Sequence, residues 1–151
     1  MVRKLPIDVV NLICGPILIY RVGLWLMPLH LINHELDEAA RLWIEPIDIS
    51  KVFLEQLPKN TSFTGLSYNR LIELIDYIAT DYSNTECGLI YNIDILLARL
   101  PIIERRRVWG TLLKGFPHRP KALLIGMPEN ATHLLPLKNE LEGWVLDNRL
   151  A

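Results

Sequence analysis

The chain predicts an α/β protein with a parallel sheet covered by helices on both faces, and three observations predict it. Short, unbroken apolar runs (9–14, 87–91 and 121–128) alternate with longer segments of helical periodicity. Those runs lack the in-out alternation of a strand with one wet face, which is the pattern of strands buried on both sides. At 151 residues, with 50% hydrophobic and 22% charged side chains, the chain suits one domain (1–151) with a sizeable core.

The elements follow in order. Val9–Cys14 reads as a buried strand stopped by Gly15-Pro16. Ile17–Leu31 is apolar on every side, so a helix there would be buried and interrupted at Pro28. Residues 33–43 read as an amphipathic helix with Leu36, Ala39, Ala40 and Trp43 on one face. Residues 44–50 read as a short strand, and 50–58 as a helical turn or two capped by Ser50 and ended by Pro58. Residues 61–66 read as a polar loop. Ser67 then caps the clearest helix, in which Leu71, Leu74, Ile75 and Ile78 recur at helical spacing. An apolar strand over 87–96 ends in Asn92-Ile93-Asp94, a basic helix runs from Ile102 to Gly115, and 121–128 is a last buried strand. The remainder reads as a loop followed by a short terminal helix.

From Val9 to Ile32 the only ionised side chain is Arg21. A membrane anchor over residues 9–32 is the alternative this run raises. Asn11, Gly15-Pro16, Gly23 and Pro28 interrupt it, and a central arginine costs about 2.5–3.5 kcal/mol on insertion scales, so a soluble cytoplasmic protein is expected. Cys14 and Cys87 have neither metal-ligand nor disulfide spacing and read as reduced core thiols. His30, His34, His118 and His133 form no ligand-like cluster, so no metal is expected.

Net charge is −1, but it is unevenly spread. Residues 31–60 are acid-rich. Residues 105–128 contain no acid and carry Arg105, Arg106, Arg107, Lys114, Arg119 and Lys121, interleaved with Trp109 and Phe116. That region is the expected contact for DNA or a protein partner, and the acidic and basic halves suggest head-to-tail self-association. Three consecutive arginines on a helix fan around about 300°, so they do not share one flat surface.

In such sheets, ligands bind at the carboxyl ends of strands. A phosphate-binding loop, G-x-x-x-x-G-K-[ST], laid from Gly15 onto "GPILIYRV" keeps the first glycine and puts Arg21 at the lysine, with Tyr20 and Val22 at the other two positions. Downstream, "GLIYNIDILL" resembles the Walker B strand of the additional-strand class of P-loop ATPases. The order of strand, "NID", basic helix and "ALLIGMP" is similar to that of the small P-loop ATPase-like proteins of type 3 BREX phage-defence operons. The resemblance spans about residues 7–130. It implies a three-layer P-loop NTPase-like fold, with Gly15 and Arg21 as a degenerate phosphate loop and Asp94 as the remnant of the water-orienting acid. Val22 and Tyr91 replace both Mg²⁺-binding positions, which implies lost catalysis and no cofactor. The expected function is then a silent accessory or assembly subunit of a phage-defence complex. The alternative is a small ATPase, binding ATP and Mg²⁺, that works through Arg21 and Asp94 or is completed by a partner.

Overall fold

A computed structural model describes residues 10–11, 22–56, 65–112, 116 and 119–137, with 113 and 114 as helical backbone only. It contains four strands, all parallel: β1 (Val22–Met27), β2 (Glu45–Asp48), β3 (Cys87–Tyr91) and β4 (Ala122–Pro128), in the order β1-β4-β3-β2. The helices are α1 (Glu35–Leu42), α2 (Ile49–Gln56), α3 (Tyr68–Thr80), α4 (Ile93–Leu97) and α5 (Ile102–Lys114), with 3₁₀ turns at Leu29–Leu31 and Thr132–Leu134.

The first third of the chain departs from the sequence reading. Val10 and Asn11 are helical, not part of a strand, and the rest of 9–14 lies outside the described residues apart from them. Within 17–31, where a buried helix is expected, β1 occupies Val22–Met27. A run that is apolar on all sides satisfies a buried helix and a doubly buried strand equally. The edge of β4 decides, pairing with β1 over six residues from Val22↔Leu123 to Met27↔Pro128. Among the described residues no helix is long and apolar enough to cross a membrane.

Strand alternation sorts the core into two layers. Val22, Leu24, Ile90, Leu123 and Ile125 face α2–α5, while Trp25, Met27, Leu89, Ala122 and Leu124 face Ala39 and Leu42 of α1, together with Val10. Right-handed crossovers account for the distribution. The β1-to-β2 connection runs across the sheet in one direction, and the next two connections run in the other. So α1 lies on one face and the remaining helices on the opposite face.

Several elements match their sequence signals. In α3, Ser67 Oγ accepts the Arg70 amide N–H at 3.2 Å, and Leu71, Leu74, Ile75 and Ile78 are buried. Burial of each such side chain contributes roughly 1.5–3 kcal/mol. In α2 the cap is Asp48, not Ser50: Asp48 Oδ1 accepts from the amide (3.1 Å) and hydroxyl (2.6 Å) of Ser50. In α1 the buried face is Ala39 and Leu42, while Leu36 and Trp43 turn outward. The strand read over 87–96 ends at Tyr91, because Asn92 adopts a left-handed conformation (φ 64°) and α4 begins at Ile93.

Candidate functional site

A phosphate loop joins the carboxyl end of a strand to the amino end of a helix, where free N–H groups and the helix dipole meet an anion. Among the described residues the first such junction is Pro28–His34, between β1 and α1. Gly15 and Arg21 lie outside the described residues. Their neighbour Val22 opens β1 at the amino edge of the sheet, level with Leu123. Asp94 follows the carboxyl end of β3. Val22 and Asp94 therefore stand towards opposite ends of the parallel strands.

Pro28–His34 contains no glycine, lysine, serine or threonine. Asn33 alone supplies a left-handed residue there (φ 70°). The first turn of α1 carries Glu35, Asp37 and Glu38, and Asp37 lies 3.7 Å from His34. Carboxylates in a first turn complement the dipole that an anion would otherwise use.

The neighbouring strand ends continue the same sign of charge. Burial pushes the Tyr91 phenol above its usual value of 10.0, and the Asp48 and Glu35 carboxylates add to the shift. Burial likewise raises the Asp94 carboxyl above 3.8; its own and the Ile95 amide N–H groups oppose this, and Glu35 adds to it. Asp94 sits in the first turn of α4, accepting the N–H groups that a helix start leaves open. Glu35 thus acts on both Tyr91 and Asp94, and Asp48 acts on Tyr91, at the carboxyl edge, where a nucleotide triphosphate needs cations. Among the described residues no three His, Cys, Asp or Glu side chains are grouped to hold a metal.

The basic region is dispersed. Lys121 is 2% exposed and bonded to Glu45, Ser83 and Thr85, so it does not reach a partner. It follows α5 in the chain yet closes the sheet's amino edge, and burial of its ammonium is tolerable only with these acceptors. Arg119 pairs with Asp76 at 2.5 Å, and Arg107 stacks on the Tyr68 ring at 4.1 Å. Arg105 is half-buried, its Nε enclosed without an acceptor, while Arg106 is exposed. The Lys114 side chain lies outside the described residues. Trp109 and Phe116 are core residues, and Trp109 Nε1 donates to the Leu134 carbonyl at 2.8 Å.

Exposed apolar side chains, which charge patterning did not reveal, are the more distinctive surface. Ile95, Ile102 and Ile103 are all exposed around the α4–α5 turn, beside Arg106. At the opposite edge Trp43 is 92% exposed and follows α1 in a left-handed conformation (φ 62°). It lines a cavity of about 760 Å³ with Leu42, Ile44, Glu45, Thr85 and Glu86. A second cavity, of about 450 Å³, lies between α2 and α3, where Phe53, Arg70 and Tyr77 line it.

No family model, curated protein or solved structure matches the chain.

Proposed function

We propose that this chain is a catalytically silent, P-loop-like α/β subunit that acts by binding another protein through the α4–α5 corner. The observation that carries the reading is the strand-to-helix junction after β1. It holds no glycine, lysine or hydroxyl, and the carboxyl edge around it is lined by Glu35, Asp48 and Asp94. Phosphoryl transfer depends on positioning and on neutralising charge, and carboxylates alone do neither without bound cations. The position of β4 between β1 and β3 lends support to the additional-strand resemblance. A place in a phage-defence assembly rests on that resemblance alone.

Protein is favoured over DNA as the partner because Lys121, Arg119 and Arg107 are already engaged inside the molecule. Phosphate tracking needs several cations on one face. Exposed isoleucines flanked by arginine suit a protein interface. The test is calorimetric titration with a non-hydrolysable ATP analogue, with and without Mg²⁺. No heat of binding is expected under either condition, and micromolar binding strengthened by Mg²⁺ would overturn the reading.

A further inference from the structure

Two features of the Trp43 end are costly and unexplained by folding. The bonds Trp43 N–H to Ala40 C=O (3.2 Å) and Ile44 N–H to Ala39 C=O (3.0 Å) form a complete Schellman cap. That cap places its left-handed residue where glycine or asparagine is normal. A tryptophan there strains the backbone, and its indole packs against almost nothing. Backbone strain of this kind concentrates at functional positions, and tryptophan is enriched among the anchor residues of protein interfaces.

The groove beside it lies at the amino edge of the sheet, where Glu45 and Cys87 begin β2 and β3. The charged groups among its described lining residues are Glu45 and Glu86. Glu45 is already satisfied by Lys121, Ser83 and Thr85, whereas Glu86 is exposed. The α4–α5 corner offers exposed apolar side chains and the positive charge that the described lining of this groove lacks. Ile102 and Ile103 project into solvent at the start of α5, and Arg106 is exposed one turn on. Because α4 starts at the carboxyl end of β3 and β4 restarts at the amino edge, that corner lies at the opposite end of the molecule from the groove.

We propose that copies of this chain associate head to tail, the Ile102–Ile103 corner of one seating against Trp43 in the groove of the next, with Arg106 facing Glu86. The proposal rests on the reading of the chain as an interaction subunit and names a second copy as a partner. Surfaces at opposite ends make a heterologous contact, which propagates into a ring or filament instead of stopping at a symmetric dimer.

The test is analytical ultracentrifugation of the full chain from micromolar to submillimolar concentration. The wild type is expected to grow beyond a dimer. Trp43→Gly, which removes the anchor while suiting the left-handed position, and Ile103→Asp, which removes the knob, are each expected to stay monomeric. Their equimolar mixture should stop at a one-to-one dimer, since only one knob and one groove remain. Glu86→Arg and Arg106→Glu, both at exposed positions, should each weaken association about tenfold, and the swapped double variant should restore it. A wild type that stays monomeric, a mixture that fails to dimerise, or a swap that restores nothing overturns the proposal. Nucleotide binding in the calorimetric titration would leave this outcome untouched, so the two readings fail separately.

Discussion

Lys121 Nζ lies 2.9 Å from Glu45 Oε1, an ion pair that spans 76 positions of sequence and joins the start of β4 to the start of β2 across the intervening β3. Ser83 and Thr85 hydroxyls complete the node by donating to the same carboxylate oxygen at 2.6 and 2.7 Å. The Lys121 amide also donates to the Ala79 carbonyl at 3.1 Å, tying the end of α3 to the same point. A lysine that looks like a surface cation in sequence is therefore a fastener of the sheet's amino edge.

Lys121 is buried whereas Glu45 is about a quarter exposed (24%), so removing the lysine leaves a carboxylate that water and two hydroxyls still reach. Lys121→Met is expected to destabilise the fold by about 2 kcal/mol, the scale of a lost hydrogen bond to a charged group, seen as a lower urea midpoint. A change under about 0.5 kcal/mol would mean that the node is ornamental. The pH dependence has a definite sign. Burial raises the Glu45 carboxyl, but hydrogen bonds from Ser83, Thr85 and Lys121 outweigh it and hold the group below its ordinary 4.5. A depressed carboxyl contributes stability above its unfolded value and loses it as pH falls through the folded one. Wild-type stability should therefore drop as pH falls below 4.5, and Glu45→Gln should flatten that limb.

Asp94 carries the opposite sign. Its carboxyl is raised first by burial and further by Glu35, so ionisation costs stability as pH climbs from 3.8 through the folded value. Asp94→Asn keeps an oxygen for the helix-start N–H groups and removes the charge. It is expected to match or exceed wild-type stability at neutral pH, with the difference vanishing in acid. A loss above about 1 kcal/mol at pH 7 would show that the carboxylate is needed in its charged form.

Glu104 holds the start of α3 from outside the helix. Its Oε1 accepts the Tyr68 amide N–H at 3.1 Å, while the Tyr68 hydroxyl and Thr111 Oγ1 lie 2.7 Å apart. Glu104→Ala should cost about 1 kcal/mol by leaving a capping donor open. In a double-mutant cycle Glu104→Ala and Thr111→Val should couple, because both act on the docking of α3 against α5. Strict additivity in equilibrium unfolding would separate them.

Trp43→Gly should stabilise the isolated chain by about 1 kcal/mol, since it removes side-chain strain at φ 62° and sacrifices almost no packing. The same substitution is expected to weaken self-association, so stability and assembly should move in opposite directions. A destabilised Trp43→Gly would identify the indole as a packing residue.

Duplex DNA should bind weakly if at all. The triple change of Arg105, Arg106 and Arg107 to Ala should leave the slope of log affinity against log salt within about one unit of wild type, when followed by fluorescence anisotropy. A slope that falls by two or more would place several of these arginines on phosphate.

The sequence by itself determined the class of fold and the elements whose signals are local. The parallel α/β sheet, α3 with its Ser67 cap, the α5 span and β4 all follow from apolar periodicity and cap chemistry, which act within a few residues. Tertiary structure decided what depends on distant neighbours. The all-apolar run containing Val22–Met27 became β1 because β4 offered it an edge, and that choice puts a strand-to-helix junction at Pro28–His34. Lys121 went inside because Glu45, Ser83 and Thr85 converge on it from other elements, and Trp109 joined the core because Leu134 supplies a carbonyl. Periodicity reports what a residue prefers. Its exposure and the sign of the field around it depend on which partners the fold brings within a few ångströms.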